Sequence, residues 1–233
     1  MRNEYLYLLL NAATISIPFL ASFYPKAPFI HTIKRIIPAI IIPLTVFIIW
    51  DVFFTDMGVW GFNETYLTGI NLINLPIEEW LFFVTVPYAC LFTYFAVKVL
   101  KPIDGNWGWK LALIIAGGLL VIGIANVGKW YTSVTFISLA LVLILLALKR
   151  KQYLGQFFFS YLFILIPFFL MNGVLTGSWI VDEVVWYNDA ENLGIRLGTI
   201  PVEDAFYGML LLLLNTVIWE ELGQKPTSMN GAQ

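Results

Sequence analysis

Long apolar runs, separated by short polar connections, dominate the pattern of residues along this chain. An α-helix needs about 20 predominantly apolar residues to cross the hydrocarbon core of a bilayer, and these runs approach or reach that length. They lack the alternation of apolar and polar positions that is typical of membrane β-barrel strands, so the pattern predicts helices. The seven predicted spans are 5–23, 30–50, 76–97, 108–127, 130–148, 156–176 and 201–219.

The last three spans repeat the first three at an offset of 125 positions. The repeat is gap-free where 60–83 aligns with 185–208, and 6 of these 24 positions are identical. An offset of four helices is even, so both repeats enter the membrane in the same direction, as parallel repeats do. The sequence therefore predicts an all-α membrane protein in which two parallel three-helix repeats are joined by a linker helix.

The predicted organisation is a single transmembrane domain over residues 1–222. The polar residues 223–233 are expected to form a disordered tail. The parts of the domain are repeat one at about 5–97, the linker helix at about 108–127 and repeat two at about 130–219.

The distribution of Lys and Arg predicts how the bundle is oriented in the cell membrane. Ten of the 13 basic residues fall on one side of the predicted spans, and that side is expected to be cytoplasmic. The N-terminus is then outside and the C-terminus is cytoplasmic. The two longest connections, about 51–75 and 177–200, face outward and lead into the third and seventh spans.

Composition narrows the possible functions. The chain is 60% hydrophobic and 12% charged, against about 25% charged residues in a soluble domain. A net charge of -2 without a basic patch argues against nucleic acid as a partner. One cysteine and one histidine exclude a disulfide within the chain, a cysteine metal cluster and a histidine-ligated iron site, so no metal is expected.

Paired carboxylates begin the third and seventh spans. Glu78 and Glu79 in the first repeat correspond to Glu203 and Asp204 in the second. Acidic residues in the first turn of a helix are often simple electrostatic caps. Carboxylates in the membrane are costly and usually mark a working site, however, and the duplication favours that interpretation. These four residues are the predicted catalytic groups.

Aromatic residues lie on the same helix faces as these carboxylates. Phe82 shares a face with Glu78 and Glu79, and Tyr207 lies one turn after Glu203. Several carboxyl groups in one low-dielectric space cannot all be ionised, so the site is expected to hold both a proton donor and an ionised acceptor. Aromatic ring faces beside them could stabilise a carbocation.

Four polar residues are further candidates for supporting roles. Asn63 and Asn188 occupy matching positions and could hydrogen-bond the carboxylates or cap a short turn. Arg196 is the only basic residue near the second motif, where it could pair with a carboxylate or extend to the membrane interface. Asp51 is expected near the membrane surface at the end of the second span, as part of the site or as a cap.

The segments Leu-Pro-Ile-Glu-Glu at 75–79 and Ile-Pro-Val-Glu-Asp-Ala-Phe-Tyr at 200–207 resemble the membrane-integral lycopene cyclase domain. Leu-Gly-Ile-Arg at 193–196 adds to this resemblance. The chain looks like the fused form of an enzyme that occurs as two subunits in some bacteria and within the fungal bifunctional carotenoid enzymes. In the family motif, the carboxylates correspond to Glu78, Glu79, Glu203 and, with Asp in place of Glu, Asp204.

The resemblance implies a lycopene β-cyclase, an intramolecular lyase or isomerase that closes the ends of lycopene into β-rings and yields β-carotene. An acid protonates the terminal double bond and a base removes a proton from the ring, with no net redox change. No Gly-x-Gly-x-x-Gly segment is present, so no bound nucleotide or other cofactor is expected. The expected partners are a carotenoid substrate, which would arrive laterally from the lipid bilayer, and other carotenoid enzymes.

A membrane transporter of a small solute is the alternative, because parallel three-span repeats joined by one helix also occur in small sugar transporters and carboxylates can carry protons. Transport predicts substrate flux in proteoliposomes, whereas a cyclase converts lycopene without a gradient. A seven-helix retinal protein is disfavoured because the span 201–219 contains no lysine.

Overall fold

The computed structural model describes residues 4–223, and its described part is dominated by seven helices. Six of them are long and apolar enough to cross a membrane, while α1 is an apolar helix of 16 residues. The prediction of an all-α membrane protein is confirmed. Of the predicted tail at 223–233, residues 224–233 lie outside the described residues. The helices are α1 (Leu6–Ala21), α2 (Ile33–Asp56), α3 (Ile77–Leu100), α4 (Gly108–Ala125), α5 (Trp130–Leu148), α6 (Tyr153–Leu175) and α7 (Val202–Glu221).

The second helix extends beyond the predicted span, which ends at residue 50, and α2 continues to Asp56. The apolar residues after Asp51 pack with the connection that follows, and the Trp50 and Trp60 rings both lie against Phe54. Asp51 is therefore inside the helix and only 1% exposed. Asp51 therefore belongs to the buried interior of the bundle, where the Trp60 indole N–H donates a hydrogen bond to its carboxyl group.

A short antiparallel ribbon joins the connections that follow α2 and α6. Its strands are β1 (Trp60–Phe62) and β4 (Val185–Tyr187). The paired residues are Trp60 with Tyr187, Gly61 with Trp186, and Phe62 with Val185. If each residue is replaced by its equivalent in the other repeat, 125 positions away, the same three pairs result. The ribbon therefore has the symmetry of a twofold axis that passes through its central pair. Both acidic motifs therefore lie at the same end of the bundle.

Each repeat also carries a small hairpin that leads into its acidic helix. The hairpins are β2 (Asn71–Leu72) with β3 (Leu75–Pro76), and β5 (Arg196–Leu197) with β6 (Ile200–Pro201). Gly69 and Gly194 have φ values of 80° and 70°, which a side chain would strain. The two hairpins also share a backbone hydrogen bond at equivalent positions, from Ile77 N to the Ile70 carbonyl (2.8 Å) and from Val202 N to the Ile195 carbonyl (2.9 Å). The hairpins fix the direction in which α3 and α7 begin.

Helix packing brings the two acidic helices together at the centre of the bundle. The helices α3 and α7 contact each other, α1 packs on α3, and α5 packs on α7. The linker helix α4 packs mainly on α5. At the end of the bundle away from the hairpins, the Arg35 guanidinium donates to the Trp219 carbonyl (2.8 and 2.6 Å) and stacks on its ring at 3.6 Å. This contact ties α2 to α7.

Candidate active site

The two acidic motifs sit in the first turns of α3 and α7, directly after the hairpins. A proline stands immediately before the first helical residue of each, at Pro76 and Pro201, where a missing N–H leaves no helical hydrogen bond unmade. Consecutive helical residues point about 100° apart. The two carboxyl groups of each pair therefore face different surroundings, although all four are buried.

The first carboxyl group of each pair holds a loop. Glu78 Oε1 accepts a hydrogen bond from Thr68 N, and Glu203 Oε1 accepts one from Leu193 N, both at 2.8 Å. Thr68 and Leu193 are equivalent in the two repeats. Glu203 Oε1 also accepts from the Thr132 hydroxyl at 2.6 Å. Neither Glu78 nor Glu203 lines the cavity between the helices.

The second carboxyl group of each pair lines that cavity. Glu79 Oε2 accepts a hydrogen bond from the Tyr7 hydroxyl at 2.6 Å. Asp204 accepts three hydrogen bonds, from the Tyr131 hydroxyl (2.5 Å), the Asn172 amide (2.7 Å) and the Tyr187 hydroxyl (3.0 Å). Three neutral donors around one carboxyl group favour its ionised form.

A third carboxyl group, that of Asp51, joins them. Its Oδ1 accepts a hydrogen bond from Trp60 Nε1 at 2.5 Å, and Asp51 lines the same cavity as its neighbour Glu79. Two neighbouring carboxyl groups in a low-dielectric space are not both readily ionised. The pair is therefore suited to hold a proton.

The two repeats differ at one equivalent position. In the first repeat, Asp51 on α2 lines the cavity next to Glu79 on α3, and in the second, Asn172 on α6 donates a hydrogen bond to Asp204 on α7. The first repeat therefore gives its cavity-lining carboxyl group a carboxyl partner, and the second gives it an amide donor. This difference makes one side of a nearly symmetric site suited to release a proton and the other to accept one.

Aromatic side chains surround these groups. The Tyr207 ring lies 5.3 Å from Trp50, 6.0 Å from Trp60 and 6.1 Å from Tyr131. Burial and, after it, the Asp204 carboxylate raise the pKa of Tyr187 well above its ordinary value, so this phenol remains a hydrogen-bond donor. The aromatic side chains thus pack around carboxyl groups that are themselves buried.

An apolar cavity of about 320 Å³ extends from the carboxyl groups along the helices. Its lining follows one face of α3 from Glu79 to Thr93, roughly 21 Å at 1.5 Å per residue. Val86, Phe168 and Leu211 are among the side chains that line it below the carboxyl cluster. The shape suits a long, thin, apolar molecule with one end at the carboxyl groups.

The predicted supporting residues divide into two groups. Phe82 and Tyr207 line the cavity, as does Asp51. Asn63 and Asn188 instead accept a hydrogen bond from the backbone N–H two residues later, at 3.0 and 3.1 Å, so each caps a turn in its loop.

Arg196 lies on β5, and it does not line the cavity. Its guanidinium donates to Asp189 at 2.7 Å and lowers the pKa of that carboxyl group, which is not one of the motif carboxylates. Within residues 4–223, no cluster of three or more His, Cys, Asp or Glu side chains is arranged to hold a metal ion.

Five hydrogen-bond donors to the cavity carboxyl groups are not among the residues predicted from sequence: Tyr7, Trp60, Tyr131, Asn172 and Tyr187. Tyr7 and Tyr131 are 124 positions apart, almost the offset of the repeat, and each lies near the start of its helix, on α1 and α5. Asn172 stands four residues before Thr176, just as Asp51 stands four before Thr55. Aligning α2 with α6 by this pattern would have indicated Asn172.

A family model described as lycopene cyclase matches the chain twice, over residues 4–97 and 128–222. Helix α4 lies between the two matched segments. No curated protein and no solved structure matched the chain.

Proposed function

The chain belongs to the lycopene cyclase family, and on that premise we propose that it is a lycopene β-cyclase. The reaction would close each end of lycopene into a β-ring by acid–base catalysis, without redox change, and give β-carotene. One observation carries this proposal. Three carboxyl groups with different partners, contributed by both repeats, meet at one end of a single narrow apolar cavity.

The proton donor is the carboxyl pair Asp51 and Glu79. The proton adds to the terminal double bond of lycopene and leaves a tertiary carbocation. A nearby double bond of the same end then attacks this cation, which forms the carbon–carbon bond that closes the ring. Donation from a shared-proton pair leaves a negative charge that the Tyr7 hydroxyl and the Trp60 N–H stabilise by hydrogen bonds.

Asp204 is the base that ends the reaction. After closure the cation lies within the ring, and loss of a proton from the neighbouring carbon forms the ring double bond. The hydrogen bonds from Tyr131, Tyr187 and Asn172 keep Asp204 ionised and fix its direction. One proton enters and one leaves, so the product is an isomer of the substrate.

The aromatic lining stabilises the cation between these two steps. A cation over an aromatic ring gains roughly 0.5–2 kcal/mol, the larger values applying when water is excluded. Tyr207, Trp60 and Phe82 line the cavity beside the carboxyl groups. Exclusion of water also prevents capture of the cation as an alcohol.

Glu78 and Glu203 have a positioning role in this proposal, because each holds the loop that covers the site rather than facing the cavity. We also propose that the N-terminus is outside and the C-terminus cytoplasmic, so that the carboxyl cluster lies toward the outer face. The excess of Lys and Arg at the opposite end of the bundle supports this orientation.

Expression in a lycopene-accumulating bacterium, followed by chromatography of the pigments, tests the function. β-Carotene is expected with the wild-type chain. Unchanged lycopene in cells that contain the folded protein would overturn the proposal. The transporter alternative predicts solute flux in proteoliposomes, and neither the family match nor the cavity supports it.

A further inference from the structure

We propose that the cavity opens sideways into the bilayer between α1 and α6, and that a carotenoid end reaches the carboxyl groups through this opening. This inference rests on the proposed function and names the route that its substrate takes. The opening is called the α1–α6 portal, and it is formed by Ala13, Thr14 and Ile17 on α1 and by Pro167 and Met171 on α6.

The exposure of the lining residues locates the opening. Ile17 lines the cavity and is also 76% exposed on the outer surface of the bundle. Ala13 and Pro167 combine the same two properties. A side chain that borders both the cavity and the outer surface marks a mouth, and at this depth in the bundle the outer surface faces lipid.

The two helices beside the portal are held together weakly. Helix α1 packs mainly on α3 and touches α6 at few positions. One side-chain contact that crosses the portal joins the Thr14 hydroxyl to the Met171 sulfur at 2.9 Å. The Thr14 hydroxyl also bonds to the Leu10 carbonyl at 2.8 Å, so loss of the Met171 contact leaves it satisfied. Because a methionine side chain is flexible, it can swing aside at small cost.

The position of the portal matches a substrate that is loaded end first. Ala13 lies midway along α1, whereas the carboxyl cluster lies at the end of the bundle that carries the hairpins. The cavity lining runs from the carboxyl cluster along α3, and the portal residues border its middle stretch. A carotenoid with one end at the carboxyl groups can therefore extend the rest of its chain through the portal into lipid.

The end of the bundle that carries the hairpins is unsuited to substrate entry. The β1–β4 ribbon closes the cavity there with the side chains of Trp60, Phe62, Val185 and Tyr187. The depression on that surface is polar and bordered by Glu4, Glu64 and Asp182. A hydrocarbon chain that arrived there would have to cross water and displace a ribbon that is hydrogen-bonded across both repeats.

Two tryptophan substitutions at neighbouring alanines test the portal. Ala12 and Ala13 are both exposed on α1, but only Ala13 lines the cavity. Ala13→Trp is expected to lower the rate of lycopene conversion at limiting substrate by on the order of tenfold or more, because it overfills the mouth. Ala12→Trp adds the same side chain toward lipid and is expected to stay within about twofold of wild type.

A second measurement separates access from chemistry. The Glu79→Gln variant is expected to bind lycopene without converting it, and the absorbance of the bound pigment measures this binding. Adding Ala13→Trp to this variant is expected to abolish lycopene binding. Adding Ala12→Trp is expected to leave the binding unchanged. Ala13→Leu serves in the same tests if the tryptophan variant does not accumulate.

Equal rates and equal binding for the Ala12 and Ala13 variants, whether both normal or both low, would overturn the portal. In that case conversion by the wild type would leave the proposed function standing. Absence of conversion in the folded wild type would overturn the function itself, and the portal with it.

Discussion

Replacement of Asn172 by Asp tests the assignment of acid and base most directly. The Asn172 amide donates to Asp204 Oδ2 at 2.7 Å, and the substitution exchanges this donor for an acceptor of the same shape. The second repeat then carries a carboxyl pair like that of Asp51 and Glu79 in the first. Asp204 would share a proton with its new neighbour and would therefore be a weaker base.

The expected loss of cyclisation rate follows from the loss of the hydrogen bond between Asn172 and Asp204. A hydrogen bond to a charged group contributes about 1.5–3 kcal/mol, and about 1.4 kcal/mol corresponds to a factor of ten. Cyclisation by Asn172→Asp is therefore expected to slow by roughly 10- to 100-fold. The contacts of Asp204 with Tyr131 and Tyr187 remain, so some activity should persist.

The assay is the initial rate at which lycopene is lost and cyclic products appear in membranes that contain equal amounts of folded protein. Asn188→Asp is the matched control, because Asn188 caps a loop turn through a side-chain oxygen that Asp retains. It should convert lycopene at the wild-type rate. An Asn172→Asp variant as fast as this control would refute the role given to Asp204.

Three further predictions concern the remaining carboxyl groups, the cavity shared by both repeats and the stability of the bundle. Glu79→Gln and Asp51→Asn should each remove detectable cyclisation, whereas Glu78→Gln should retain part of it and instead lower the unfolding temperature; the reverse order of effects would contradict the proposed roles. Because one cavity serves both ends of the substrate, a product with one ring should appear before β-carotene in a time course with excess lycopene, and its absence at every time point would contradict separate binding events. Arg35→Ala should lower the free energy of unfolding by about 2 kcal/mol, because the charged hydrogen bonds to the Trp219 carbonyl are lost. The cyclisation rate of the folded fraction should not change. Unfolding in denaturant measures the first effect and pigment analysis the second.

Much of the fold could be predicted from properties that are local in the sequence. Apolar runs of spanning length predict the helices, because lipid leaves the backbone no other way to satisfy its hydrogen bonds. The offset of 125 positions, which spans four helices, places both acidic motifs at the same end of the bundle, and the self-matching β1–β4 ribbon agrees with that placement. The motif at 75–79 and its copy at 200–204 also identified the family, which the family match confirmed.

Which carboxyl group of each pair faces the cavity was decided only by the tertiary structure. The sequence predicts the same catalytic role for Glu78 and Glu79. In the structure, the orientation of α3 about its axis points Glu79 toward the cavity and Glu78 toward the backbone N–H of Thr68. That rotation depends on how α3 packs against α1, α2, α6 and α7, which are remote in the chain.

The partners of these groups were decided in the same way. Tyr7, Tyr131 and Asn172 reach the site from α1, α5 and α6, and the extension of α2 buries Asp51 beside Glu79. The sequence by itself determined the spans, the repeat and the end of the bundle at which the site lies, since apolar length and spacing are local properties. Only the tertiary structure decided which carboxyl groups line the cavity and which side chains hydrogen-bond to each of them, because helix packing brings those partners from distant parts of the chain.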